Sequence, residues 1–373
     1  MKIRNFFPTI LVVLFISCIQ QSIAQPTFSI STSNGYNSNP FNLPVESGSF
    51  INSLEMGIEY DYKNFGIGYY TDYTLFQSIS ERNFFWHQAG GWYSTENTLF
   101  GVYSEQRINK SDYDYFDYTF FNTYLNYKGE SNSVYYLFNS SVSYTSYDEL
   151  PELNNLLINF RLRTSKSFDT KTTLIFGGTF NNKHYSNSEI LTFNPRGRRT
   201  GGFVQSSATS ISQLNLYGRI SQSVWENFGI AAQYTYKNIL SGTGKDLSNL
   251  NLAYNDESQI FEDPVSNEGY SFNFQITQIL PYQVKLQGNY YFNSKLYPAQ
   301  GIYLDKENFD ESVMREDKQE IIMVSAAKTF DLSWSSISQF TFMLQYSNTV
   351  NNSNSYWYNY MNNSVSLTLK LDF

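Results

Sequence analysis

The charged residues that could act on a solute fall into two groups along the chain. The early group is acidic, with Arg107 as its one basic member: Glu55, Glu59, Asp72 and Glu105. The later group is basic: Arg161, Arg163, Lys183, Arg219, Lys237, Lys285 and Lys295. If the two groups line opposite walls of a closed sheet, they create a transverse electric field that orients and selects polar solutes.

A second interpretation of these charges stays open at this point. Arg161, Arg163 and Arg219 could instead pair with nearby carboxylates and fill the interior as structural ion networks. The two interpretations differ in whether the charges meet a solute or only each other.

The densest basic run is Pro195-Arg-Gly-Arg-Arg199, which Gly201-Gly202 follows. Guanidinium groups donate in a planar fork that fits phosphate oxygens. This loop basic patch, formed by Arg196, Arg198 and Arg199, has three interpretations. It constricts an interior path, it binds lipopolysaccharide phosphate or a partner outside, or it is only solvated.

Enzymatic chemistry has little support in the sequence. His87 and His184 are the only imidazoles, and both stand beside aromatic residues, as is common at a membrane interface. No nucleophile elbow, zinc-binding His-Glu-x-x-His, phosphate loop or calcium-binding loop occurs. We therefore predict no enzyme activity, no catalytic residue, no metal site and no cofactor.

The elements that position these side chains alternate apolar and polar residues, as half-buried strands do. The segments recur at 27–37, 49–61, 65–76, 83–95, 98–109, 116–128, 133–145, 155–168, 171–184, 208–224, 228–239, 269–280, 282–297, 319–330, 338–350 and 364–373. Alternation is poor in 84–93, where aromatic residues occupy both faces. The pattern predicts an all-β fold, an antiparallel up-and-down transmembrane β-barrel of about 16 strands, with 14 to 16 plausible.

The connections alternate in length. Short ones, such as Lys63-Asn64 and Gly129-Glu130, contain turn residues and are predicted to lie in the periplasm. Longer ones, at 186–207, 240–268, 298–318 and 351–363, are predicted to be extracellular loops. An even strand number then places both chain termini in the periplasm.

The amino-terminal residues predict export. Lys2 and Arg4 precede an apolar segment, 10–19, and a small-residue cleavage motif, Ser22-Ile-Ala24. This is the pattern of a secretory signal peptide, so we expect 1–24 to be a signal peptide and 25–373 a single barrel domain. The net charge of −8 argues against nucleic acid as a partner.

Tyrosines cluster at the predicted strand ends, where a barrel places aromatic girdles at the two membrane interfaces. These are Tyr60, Tyr62, Tyr69, Tyr70, Tyr73, Tyr234, Tyr236, Tyr290 and Tyr291. The alternative is a path of interior aromatic residues that binds sugars. We favour the girdle because several of these tyrosines share parity with apolar neighbours.

The final strand, Val365-Ser-Leu-Thr-Leu-Lys-Leu-Asp-Phe373, alternates without interruption, and Phe373 resembles the assembly signal of outer-membrane barrels. With the signal peptide and the loop pattern, the whole mature chain resembles Gram-negative outer-membrane porin-type β-barrel proteins. The resemblance implies a porin-like outer-membrane channel for passive diffusion of small polar solutes. The alternative is a non-conducting structural or secretion and assembly accessory barrel, and an outer-membrane hydrolase is a distant third.

The same resemblance suggests which molecules the protein meets. They are outer-membrane lipid and lipopolysaccharide, the barrel assembly machinery, small polar solutes, and a homo-oligomer or accessory protein.

Overall fold

The computed structural model describes residues 26–186, 189–193, 199–205, 210–242, 263–334 and 337–373. The signal peptide predicted at 1–24 lies outside these residues. The strands are β1 (Thr27–Asn37), β2 (Ser49–Tyr62), β3 (Phe65–Phe76), β4 (Phe84–Ser94), β5 (Thr98–Asn109), β6 (Tyr118–Ser131), β7 (Val134–Tyr147), β8 (Asn155–Ser167), β9 (Thr172–Tyr185), β10 (Glu189–Phe193), β11 (Arg199–Gln205), β12 (Ser210–Trp225), β13 (Phe228–Ser241), β14 (Glu268–Ile279), β15 (Lys285–Tyr297), β16 (Ile302–Tyr303), β17 (Phe309–Asp310), β18 (Arg315–Trp334), β19 (Ile337–Ser353) and β20 (Tyr360–Asp372). Short 3-10 helices span Ser80–Arg82, Ser111–Phe116, Pro151–Leu153, Pro281–Gln283 and Tyr356–Tyr358.

Sixteen strands in the described part of the chain form one closed antiparallel barrel. Each pairs with the next along the chain, in the order β1 to β9, β12 to β15 and β18 to β20. β20 then pairs with β1 from Ser29↔Asp372 to Asn37↔Ser364, and the Phe373 N–H donates to the Phe28 carbonyl at 2.9 Å. Closure leaves no unpaired sheet edge at this seam. The predicted sixteen-strand barrel is confirmed, while the role of Phe373 in assembly stays a prediction.

The exterior of the barrel is apolar because each strand turns its alternate apolar residues outward. Phe272, Phe274 and Ile276 of β14 keep 39%, 40% and 42% of their surface exposed. Exposure of such a continuous apolar band is unfavourable in water and favourable in the hydrocarbon core of a bilayer. The barrel is therefore a membrane-spanning one.

The prediction that Tyr70 and Tyr291 belong to the outward-facing aromatic girdle is wrong. Tyr70 pairs with Gly57 and Gln88, and Tyr291 pairs with Asn273, all on the inward face. Their neighbours Tyr69 and Tyr290 face outward, and consecutive residues of a strand point to opposite sides.

The connections define two ends of the barrel. The turn end holds the short links between β2 and β3, β4 and β5, β6 and β7, β8 and β9, β12 and β13, β14 and β15, and β18 and β19. The start of β1 and the end of β20 lie at the same end. The loop end holds the longer links, such as 38–48, 148–154 and 298–314. This alternation agrees with the predicted short and long connections.

Two predicted features of the connections differ in the structure. The turn between β6 and β7 is at Asn132-Ser133, with φ of 51° and 60°, and Gly129 lies inside β6 opposite Tyr136. Two positive φ values match the twist of a tight hairpin, and Asn tolerates them well. Two of the longer connections, predicted as extracellular loops, also contain small hairpins, β10–β11 and β16–β17.

Gly269 sets the geometry of β14 beside two candidate lysines, since it pairs with Lys237 and Lys295. Its φ is +136°, and a Cβ there would collide with the backbone oxygen of Ser294. Gly269→Ala should therefore lower the free energy of unfolding by roughly 1–3 kcal/mol, measured by urea titration in detergent micelles. Gly229→Ala is the matched control, because its Cβ would meet only the Gln222 oxygen, at 3.5 Å. Equal effects of the two substitutions would contradict the strain at Gly269.

Candidate functional site

The acidic candidates lie together on the inward face of three early strands. Glu55 and Glu59 are on β2, Asp72 is on β3 and Glu105 is on β5. Glu55 and Asp72 are direct cross-strand neighbours. Their outward neighbours, such as Leu54 and Tyr73, are exposed apolar residues. We call these four carboxylates the acidic wall.

The basic candidates lie on the inward face of later strands. Arg161 and Arg163 are on β8, Lys183 on β9, Arg219 on β12, Lys237 on β13, and Lys285 and Lys295 on β15. We call this set the basic wall. In the closed order, β12 is eight strands from β2 and β13 is eight strands from β3, halfway around a sixteen-strand barrel. Arg219 and Lys237 therefore face Glu55, Glu59 and Asp72 across the interior, whereas Arg161 and Arg163 on β8 lie only three strands from Glu105 on β5.

The depth of these groups in the barrel follows from their distance to the turn end. Glu55, Asp72 and Glu105 are each seven residues from the turn-end residue of their strands. Arg161 and Arg219 are each six residues from theirs. These five charges therefore lie at similar, middle depth. Lys183, Lys237 and Lys295 lie near the loop end, and Lys285 begins β15 at the turn end.

The arginines at middle depth bond to neutral partners. Arg161 Nε donates to the Thr179 hydroxyl at 3.3 Å, and Arg219 donates to Gln275 Oε1 at 3.0 Å and to the Ser221 hydroxyl at 3.1 Å. Among the residues that the structure describes, no carboxylate forms a salt bridge with Arg161, Arg163 or Arg219.

The carboxylates of the acidic wall also accept hydrogen bonds from neutral groups. The Tyr70 hydroxyl donates to Glu59, and the Tyr118 hydroxyl donates to Glu105 Oε1 at 3.0 Å. Asp72 accepts from the hydroxyl of Thr74 at 2.6 Å. Glu59, Asp72 and Glu105 are thus held in position by neutral hydroxyl groups.

Arg107 is the exception on the acidic wall. Its guanidinium lies 4.0 Å from the centre of the Phe84 ring, and its Nε donates to Asn109 Oδ1 at 3.2 Å. Asn109 in turn donates its backbone N–H to Asp117 at 2.7 Å. Burial raises the pKa of this loop carboxyl, and the hydrogen bonds from Asn109 oppose the rise. Arg107 is therefore tied to the loop end.

Lys183 has a structural partner. Its Nζ lies 3.1 Å from Asp263 Oδ2, and the Tyr185 hydroxyl also donates to this carboxylate. Asp263 belongs to the connection that precedes β14, and neighbouring Val265 packs against Tyr185 and Ile211. Removing one partner of a buried ion pair strongly lowers stability, because the remaining charge stays buried without compensation. Lys183 thus anchors a loop to the inner wall.

Other loops also fold against the inner wall at the loop end. Phe116, Leu150 and Leu153 form a buried cluster with Tyr147. Arg315, which is 2% exposed, pairs with Asp317 and lies over the rings of Tyr297 and Tyr358 at 4.2 and 3.2 Å. The loop end is therefore packed with side chains from several connections.

The sequence reasoning missed a row of aromatic residues that faces inward. Strand register places Tyr70 of β3, Trp86 and Trp92 of β4, Tyr103 of β5 and Tyr124 of β6 on the same face as the acidic wall. The signal was the segment 84–93, whose aromatic residues occupy both faces. Alternation could not show which of its two aromatic faces pointed inward.

The remaining candidates have other positions. Arg196 and Arg198 of the loop basic patch lie outside the described residues, and Arg199 begins β11. His87 is on the outward face of β4, where its Nε2 lies 3.2 Å from Gln106 Oε1. His184 also lies on the outward face, on β9.

The described residues contain no cluster of His, Cys, Asp and Glu suited to a metal ion. Within the same residues, no helix is long and apolar enough to cross a membrane.

Comparison with known proteins finds similarity at the level of structure. No protein-family model matches the sequence, and no curated protein does. The crystal structure of Pseudomonas aeruginosa OpdK with vanillate has a TM-score of 0.50 and 6% identity, with 94% of this chain and 98% of that chain covered. An improved structure of P. aeruginosa OccK1 (OpdK) gives the same four values. Acinetobacter baumannii OccAB3 has a TM-score of 0.49 and 7% identity, covering 94% and 99%.

At these identities the likeness concerns the fold. The OpdK structures and this chain share a barrel that covers nearly the whole of each protein. The predicted barrel architecture is therefore confirmed.

Proposed function

We propose that this protein is an outer-membrane channel for the passive diffusion of small polar solutes. The observation that carries the proposal is the set of inward charges at middle depth, in which Glu55 and Asp72 face Arg219 across the barrel and Glu105 and Arg161 lie on the strands between them. The salt bridges of the described residues leave the three arginines of the basic wall unpaired, which supports a field-bearing path over structural ion networks.

The width of the barrel supports an aqueous path. Eight-stranded barrels are filled by their own side chains, whereas barrels of about sixteen strands leave a channel. Charges fixed on opposite walls of such a channel act in a region of restricted water and select the ions and dipoles that pass. The proposed selectivity therefore arises in the middle of the barrel, where Glu55, Asp72, Glu105, Arg161 and Arg219 lie at similar depth.

The proposed orientation places the turn end and both chain termini in the periplasm and the loop end outside the cell. Short periplasmic turns and long outer loops are the usual arrangement in bacterial outer-membrane barrels. The proposed partners are outer-membrane lipid and lipopolysaccharide, the assembly machinery that would recognise Phe373, and small polar solutes. A homo-oligomer or an accessory protein is a further proposed partner.

One observation favours the runner-up, a non-conducting structural or secretion accessory barrel. The loop end holds fully buried side chains such as Leu150 and Arg315, and such packing could close the path. The hydrolase alternative has no comparable support, since His87 and His184 lie on the outward face, away from the interior carboxylates.

Conductance in planar lipid bilayers tests the proposal. The folded protein should give a steady conductance that rises in proportion to bulk salt. Heat-modifiable gel mobility should confirm folding in the same preparation. A folded barrel that inserts but does not conduct would favour the accessory role.

A further inference from the structure

The acidic wall is interleaved with aromatic rings. Tyr70 is two residues from Asp72, and Trp86 is the direct cross-strand neighbour of Asp72. Gln88, next on the inward face of β4, pairs with Tyr70 and with Glu105. Ring faces, carboxylates and one amide therefore share a single patch of the interior.

Several of these rings lie flat against the barrel wall because glycines face inward beneath them. The indole of Trp92 occupies the space that a Cβ at Gly66 would need, and it would lie 3.3 Å from a Cβ at Gly68. The Tyr70 ring would lie 3.0 Å from a Cβ at Gly57. The rings of Trp92 and Tyr70 therefore lie along the inner wall of the barrel.

A cavity of about 640 Å³ lies against this patch. Its lining includes Glu55, Asp72, Tyr70, Trp86, Gln88 and Lys370. Lys370 is the only cation of the lining, and its Nζ is 2.9 Å from Asp372, outside the lining. The charge that faces the cavity is therefore mainly the paired carboxylates of Glu55 and Asp72.

Ring faces and carboxylates attract the same kind of group. The face of an aromatic ring carries negative potential and binds ammonium and guanidinium groups, tryptophan most strongly. The patch already holds one cation in this way, since the Arg107 guanidinium lies 4.0 Å from the centre of the Phe84 ring, which also lines the cavity. A neutral sugar could stack on the rings and donate hydroxyl hydrogen bonds to the carboxylates, but it would lack the charge–charge attraction that a cation gains from both features.

We propose that this cavity, which we call the cation subsite, binds the cationic group of an organic solute, such as a quaternary ammonium or a guanidinium. The inference rests on the proposed channel function and specifies one class of solute for it. Glu55 and Asp72 supply the charge, and Trp86 and Tyr70 supply the ring faces.

Binding of choline to the folded protein in detergent micelles, followed by isothermal titration calorimetry, tests the cation subsite. Trp86→Leu should weaken choline binding by roughly 3- to 30-fold, because it removes the indole face. Phe85→Leu is the matched control, since Phe85 is the next residue of β4 and pairs outward with Tyr73 and Ile108. The double substitution Glu55→Gln and Asp72→Asn should also weaken binding, and added salt should weaken it in the unaltered protein by screening.

The controls separate this inference from the channel function. If methyl β-glucoside binds as tightly as choline, the subsite recognises sugars and not cations. If the double substitution leaves choline binding unchanged, Glu55 and Asp72 do not supply the charge, and the proposal is overturned. No choline binding in a barrel that conducts would sink the subsite and leave the channel intact. Choline binding in a barrel that does not conduct would support the subsite and count against the channel.

Discussion

Replacing Arg161, Arg163 and Arg219 by glutamine should shift the reversal potential in a salt gradient toward cation preference. The three guanidinium groups attract anions to the middle of the path, and their loss leaves the carboxylates of the acidic wall as the main fixed charge at that depth. The ratio of cation to anion permeability, obtained from the reversal potential in planar bilayers, should therefore rise.

Two further variants sharpen this experiment. Replacing Glu55 and Glu59 by glutamine should shift the reversal potential in the opposite direction. Lys166→Gln is the control, because Lys166 lies on β8 with Arg161 and Arg163 but has outward parity, opposite Leu174 and close to the Phe168 ring. Its removal changes the net charge by one unit outside the path, so selectivity should stay unchanged.

Ionic strength supplies an internal check on the same variants. The Debye length falls from about 10 Å at 0.1 M salt to about 3 Å at 1 M, so the shift should shrink at high salt. If neither set of substitutions alters the selectivity of a conducting barrel, Glu55, Glu59 and the three arginines do not line the permeation path. The hydrogen bonds of Arg161 to Thr179, of Arg219 to Gln275 and of Tyr70 to Glu59 would then have a structural role.

Val324→Arg should destabilise the barrel much more than Met323→Arg. Val324 is 50% exposed on the outward face, nine residues from the start of β18 and ten from its end, so we expect it to lie in the hydrocarbon core of the bilayer. An arginine on the lipid face at this depth costs roughly 2–4 kcal/mol. Met323 pairs with Asn289 and Ser347 on the inward face, where an arginine can stay hydrated.

The comparison is a controlled one because both residues are apolar, adjacent and on the same strand. Free energies of unfolding should be measured by urea titration after folding into lipid vesicles. Similar losses for the two arginine variants would show that β18 does not present these two faces to lipid and interior.

The sequence by itself indicated a barrel of about sixteen strands, as the structure has, and most of the bounds of those strands. The segments 27–37, 65–76 and 98–109 match β1, β3 and β5 at both ends. It also determined the face of charged residues on well-alternating strands, such as Glu55 on β2 and Arg219 on β12. These properties are local, because side chains alternate along a strand whatever its neighbours are.

Tertiary structure decided what depends on pairing between strands. Closure placed β2 and β3 opposite β12 and β13, and register placed Glu55, Asp72, Arg161 and Arg219 at a common depth. Register also turned Trp86 inward, where both faces of its segment are aromatic and alternation is silent. The ion pair between Lys183 and Asp263 joins residues far apart in the chain, so no local pattern could indicate it. Local periodicity assigns a side chain to one of two faces, whereas the barrel alone decides what that face meets.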